Sequence, residues 1–329
     1  MSSDLTPPSL PPGINGVPPV AGSVFRGPPP PSLPTPTSAS TKHAEFLLSF
    51  GEPLHPELDE AIATGDGALV SSELARARER YPQTNVTFNT ALQCAIKYAR
   101  PEVVSCLLSS GVPATERDLQ AAAAMGDLPI VACLVEHLAW SINTVASNGH
   151  TILSLAVPHE QLVSWLLSKD ADSNLQDAWS ETPLSRAVEF GSLNVISRLL
   201  DAGADVSKGA PLHMSLRRKD NSASLELMEK LLVLGAPVDK YQGEDSSAWK
   251  EVGFPRGTAL HSASSRGNTR AVQLLLTHGA DPLRNKKLGA SEIPDSSPYE
   301  EARYRGHAEV MSVLQKHIRC NDSFHRYRL

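Results

Sequence analysis

The sequence predicts an all-α solenoid of about seven to eight stacked helix–turn–helix units with projecting loops, preceded by a disordered proline-rich segment. Two observations predict the solenoid. A pattern recurs in phase: "TALQCAIKYARPEVVSCLLSSG" at 90–111, "TPLSRAVEFGSLNVISRLLDAGAD" at 182–205 and "TALHSASSRGNTRAVQLLLTHGAD" at 258–281. In each, threonine precedes the last glycine by 21 residues, alanine follows the threonine by five, and a Leu-Leu pair follows it by 17 and 18. Apolar content is 41% with only 5% aromatics, so the core is built from Ala, Leu and Val, which suits close-packed helices. A third observation predicts the disordered segment. Residues 1–42 hold twelve of the 26 prolines and few large apolar side chains, too little to offset ordering entropy.

One unit shows why the pattern is helical. Thr258 is placed to N-cap the first helix, as are Thr90 and Thr182 in their units. Pro183 and Pro211 stand one position later, where a missing N–H costs least. Leu260 and Ala263 share a face, and the small alanine lets neighbouring helices approach. Gly267 ends the first helix, and the second starts near Thr269. Ala271, Val272, Leu275 and Leu276 form its apolar stripe. Gly279 falls where a left-handed C-cap belongs, as do Gly111, Gly203 and Gly235. A single helix pair cannot bury its stripe, and stacked neighbours can.

Weaker copies start at Leu119, Thr151, Pro211 and Ser297, and a divergent first unit lies near 57–78. The expected division is a disordered Pro-rich segment over 1–42, a solenoid over 43–318 with long loops at 239–256 and 284–296, and a short basic tail over 319–329.

The repeats resemble the ankyrin repeat. The likeness rests on T-A-L-H-S-A at 258–263, T-P-L-S-R-A at 182–187, P-L-H at 211–213, and G-A-D at 203–205 and 279–281. It implies a curved stack of antiparallel helix pairs with loops projecting at right angles. It also implies a turn-ordering role for His213 and His261, hydrogen-bonded to the threonine hydroxyl and neighbouring backbone.

No catalytic constellation is visible, so the chain is expected not to be an enzyme and to need no cofactor. "GDG" at 65–67 lacks the third glycine and acidic partner of a dinucleotide site. "HE" at 159–160 lacks a second histidine for a zinc protease helix. The four cysteines form no C-x-x-C, and no metal site is expected. Net charge is −6, against broad nucleic-acid binding. No apolar run spans a bilayer and no signal peptide is read, so an intracellular place, cytoplasm or nucleus, is expected.

Binding is the expected function: a non-enzymatic protein scaffold or adaptor, acting through the concave solenoid face and the inserted loop. The alternative is a regulatory fragment or subunit associated with an enzyme, with no catalytic site of its own. Candidate partner contacts are Tyr98, Phe190 and Arg266 at first-helix ends, and Trp179 in the loop before Thr182. Tyr241, Trp249 and Phe254 in the spacer join them, being types that anchor interfaces. Residues 43–315 carry a net charge of −10, which favours a partner with a basic surface. P-x-x-P spacing at Pro28–Pro31 and Pro31–Pro34 allows a weak SH3-type contact with the N-terminal segment.

Overall fold

The computed structural model describes residues 56–80, 85–138, 141–147, 149–244, 246 and 253–326. The proline-rich segment 1–42 and Trp249 lie outside the described residues. All those described fall within one compact unit, 33–329.

Eight helix pairs follow one another among the described residues. They are α1 (Pro56–Thr64) with α2 (Gly67–Arg80), and α3 (Asn85–Lys97) with α4 (Pro101–Ser109). Next come α5 (Glu116–Met125) with α6 (Leu128–Leu138), and α7 (Ile152–Ala156) with α8 (Glu160–Ser168). Then follow α9 (Pro183–Phe190) with α10 (Leu193–Asp201), and α11 (Pro211–Ser215) with α12 (Asn221–Val233). The last are α13 (Ala259–Ser265) with α14 (Thr269–Thr277), and α15 (Pro298–Arg305) with α16 (Ala308–Arg326). Each first helix packs on the first helix of the next pair, from α1 through to α15. Second helices do the same from α2 to α10 and from α12 to α16.

The apolar stripe explains the stacking. The first leucine of the Leu-Leu slot is fully buried in unit after unit: Leu107, Leu134, Leu166, Leu199, Leu231 and Leu275. Truncating one such leucine to alanine costs about 2–5 kcal/mol. Small residues fill the first helices, with Ala95, Ala187 and Ala263 all buried.

Caps set the boundaries. Thr182 Oγ1 accepts from the Ser185 N–H at 3.2 Å. Thr115, which the repeat pattern does not single out, makes a reciprocal cap with Asp118. Thr90 departs from expectation, for it lies inside α3, which starts at Asn85. The buried Phe88 carries the apolar stripe upstream and draws the helix with it. Gly111, Gly203, Gly235 and Gly279 all have φ between 79° and 93°. At Gly203, its N–H reaches Leu200 O and the Ala204 N–H reaches Leu199 O, closing the last turn as a Schellman motif does.

The spacer at 284–296 contains a hairpin, β1 (Lys287–Leu288) against β2 (Ser291–Glu292). Arg256 bridges to Lys287 on its other side, which ties the two spacers together. The last helix runs on to Arg326, past the boundary at 318 that the repeat pattern suggests.

Candidate protein-binding surface

The histidines of the repeat motif come first, because they decide whether the turns hold chemistry. The Thr258 N–H donates to His261 Nδ1 at 3.0 Å, and Thr258 Oγ1 lies 2.9 Å from the same atom. His261 Nε2 donates to Ser296 O at 3.0 Å, in the loop of the following unit. Both ring nitrogens are thus committed. Burial, with Lys286 nearby, pushes the imidazole down to about 4. His213 is held by Gly257 O at 3.1 Å, and burial pushes it down to about 4 as well. Neutral, enclosed imidazoles of this kind join adjacent units.

A second set of links escaped the sequence pattern. Arg100 Nη2 donates to Ala63 O at 2.8 Å, and His159 Nε2 to Ala124 O at 3.0 Å. Arg218 Nη1 donates to Val188 O at 3.1 Å and Gly191 O at 3.0 Å. His307 Nε2 donates to Ser265 O at 3.0 Å. Each side chain reaches the carbonyl end of the first helix in the preceding pair, where orphan acceptors and the negative dipole end lie. Arginine and histidine share no sequence signal here, because what they share is a donor and a reach.

Several exposed side chains lie along the first-helix ends. Tyr98 is 41% exposed and Tyr304 is 71% exposed. Arg266 is exposed, at the end of α13. Phe190 is half-buried, with the Arg186 guanidinium 5.4 Å from its ring centroid. Glu189 beside it pairs with Arg217 at 3.0 Å. Burial pushes the Arg186 guanidinium down to about 10, so it stays charged at neutral pH. Its Nε and Nη1 are buried and make no hydrogen bond. Burial, with Asp177 close by, pushes the Glu181 carboxyl up to about 7.

Between the α11–α12 and α13–α14 turns lies an open cleft of about 660 Å³. Leu216 to Lys219 form one wall and Arg266 to Arg270 the other, with Glu309 at the edge. Five of the lining side chains are cationic.

The spacer candidates fare unevenly. Tyr241 is 1% exposed, which removes it from the partner surface. Its hydroxyl donates to Asn285 O at 2.8 Å, and Lys287 and Arg284 lie 4.6 and 5.1 Å from its ring centroid. A buried tyrosine whose hydroxyl is satisfied is a packing residue, here holding one spacer to the other. Phe254 is half-buried. Trp249 lies outside the described residues. Trp179 is half-buried, and its backbone N–H donates to Asp177 Oδ1 at 2.8 Å in a turn. Among the described residues, no group of three or more His, Cys, Asp or Glu could hold a metal ion. No helix among them is long and apolar enough to cross a membrane.

A stack of short helix pairs with glycine C-caps and histidine-linked turns defines a class of repeat proteins. Family models agree with the class. The model described as "Ankyrin repeats (3 copies)" matches residues 119–210 and 158–242, and the model "Ankyrin repeat" matches 257–287. Residues 119–242 and 257–287 thus form ankyrin repeats. Ankyrin repeats are protein–protein interaction modules, and proteins built of them are generally non-catalytic. The chain is similar to "Ankyrin repeat protein nuc-2" of Neurospora crassa, 29% identical over 240 residues, which are 69% of this chain and 20% of that protein. It is 34% identical over 98 residues, 30% of this chain and 18% of the other, to "Putative E3 ubiquitin-protein ligase XBAT35" of Arabidopsis thaliana. It is 29% identical over 168 residues, half of this chain and 26% of the other, to an L-asparaginase of Dirofilaria immitis. The matches thus span about a fifth to a quarter of these relatives.

Proposed function

We propose that the chain is a non-enzymatic scaffold that binds a partner protein along its row of first-helix ends. One observation carries the reading. Tyr98 and Arg266 each follow the last residue of a first helix, Tyr304 lies one residue before the end of its own, and all three stand exposed. At these three positions, unlike the like-placed Arg218 and Phe190, the side chain stands exposed and is available for recognition. Tyrosine and arginine give large contact areas at modest entropic cost. The closed geometry of His213 and His261 supports a binding role over a catalytic one, and the intracellular setting expected above belongs to this proposal.

Interaction capture tests it, using the full chain beside versions lacking residues 1–42 or 241–256. A Tyr98→Ala, Arg266→Ala, Tyr304→Ala variant completes the set. Proteins retained by the full chain and lost from the triple variant, at unchanged melting temperature, are the expected result. A folded triple variant that retains every partner would refute the assignment.

A further inference from the structure

We propose that the cleft between the α11–α12 and α13–α14 turns docks an acidic peptide segment of the partner. This rests on the scaffold reading and adds the partner's chemistry. The argument starts from which cations are already used. Arg218 is spent on Val188 O and Gly191 O of the preceding unit. Arg217 shares its charge with Glu189. Lys219, Arg266 and Arg270 are exposed on the two facing turns. None of the three makes a hydrogen bond or ion pair with a described side chain, and Arg266 stands close enough to Glu189 to act on it through space. Glu309 is the single acidic residue lining the cleft.

Like charges gathered around one concavity raise each other's energy, and an anion placed among them relieves it. Arginine forks take carboxylate and phosphate oxygens two at a time, which lysine cannot do. The cleft volume of about 660 Å³ accommodates a few side chains of an extended peptide. The remainder of the body argues for a short acidic cluster over a long polyanion. Residues 43–315 carry −10, so a nucleic acid leaving the cleft would meet like charge. The same contrast limits the expectation of a basic partner surface: it follows from the net charge, and the cleft has the opposite local sign.

The test is a peptide array probed with the full chain. Each sequence is presented in three forms: neutral, with Asp/Glu clusters, and with phosphoserine at the same places. Selection of either acidic form over the neutral form is the expected result, and the preferred form tells carboxylate from phosphate. Arg266→Glu with Arg270→Glu should weaken the best peptide by about tenfold or more, as should raising salt from about 50 to about 300 mM. Lys208→Glu with Lys230→Glu, the same charge change on exposed residues outside the cleft, should leave it within about twofold. Three results would overturn the proposal: no preference for acidic forms, equal losses in both double variants, or a single-stranded RNA that outcompetes every peptide. Any of these beside successful partner capture sinks only the chemistry of the cleft, while failed capture sinks the scaffold reading.

Discussion

The units at 182–205 and 258–281 have the same helix pair, the same threonine cap slot and the same terminal glycine, yet they close their turns with different chemistry. In the later unit His261 fills the histidine slot, with both nitrogens bonded and no charge. In the earlier unit the slot holds Ser185, and charge gathers around it. Glu181 Oε2 and Ser185 Oγ both accept from the Ala210 N–H, at 3.2 and 3.0 Å. Asp177 and Arg186 stand close by, and Asp177 is itself paired with His150 at 3.2 Å. The next unit packs directly on the serine: a Cβ built on Gly209 would lie 2.2 Å from Ser185 Oγ. The two regions teach that a repeat slot fixes geometry while the neighbouring backbone decides the chemistry that fits.

The largest expected effect breaks the closed turn. His261→Ala leaves the Thr258 N–H and Ser296 O without partners in a buried setting. It should cost about 2–4 kcal/mol, measured by urea unfolding. An unchanged midpoint would show that the histidine does not hold these units together.

Gly209→Ala tests the close approach on the other side of the comparison. Gly209 has φ +66°, and its added methyl meets Ser185 Oγ and the Thr182 backbone. A loss of about 2–3 kcal/mol is expected, and Gly209→Ala combined with Ser185→Gly should recover part of it. Equal losses in the two variants would refute the clash.

Third is the pH dependence, in which the two units should respond with opposite sign. The Glu181 carboxyl is raised in the folded state, from 4.5 to about 7. Its contribution to stability is therefore fully present below about pH 4.5 and is lost as pH rises through about 7. Glu181→Gln should stabilise by about 1–2 kcal/mol near pH 8 and do little near pH 4. His213 and His261 are lowered in the folded state, from 6.5 to about 4. Their contribution is present above about pH 6.5 and is lost as pH falls through about 4. Denaturation midpoints collected across pH for wild type, Glu181→Gln and His261→Ala would show this. A Glu181→Gln effect that is the same at both ends of the range would contradict the buried-carboxyl account.

The smallest effect sharpens the contrast. Ser185→Ala should cost only about 0.5–1 kcal/mol, because the Ala210 N–H keeps Glu181 as an acceptor. A loss as large as that of His261→Ala would mean the hydroxyl is the main tie.

Much of the fold was legible because its signals are local. A threonine cap, an alanine five residues on, a Leu-Leu stripe and a terminal glycine all act within one helix pair, so their spacing survives in the linear text. Thr90 was misplaced because a single buried residue upstream, Phe88, extended its helix. The site was less legible. Phe190 and Tyr241 are alike in sequence as aromatic residues with no packing role in the motif. Yet Phe190 is half-buried against Arg186 of its own helix, while Tyr241 is enclosed by Arg284 and Lys287 from more than forty residues away.

The sequence by itself determined the period, the helix pair and the identity of the core slots, since those follow from short-range sterics and apolar periodicity. Only the tertiary structure decided which cations serve as links and which are left over. Arg218 and Arg266 hold like-placed positions at first-helix ends in successive units. One reaches carbonyls of the preceding unit and the other faces the open cleft. That division depends on registry between units, which no single repeat encodes.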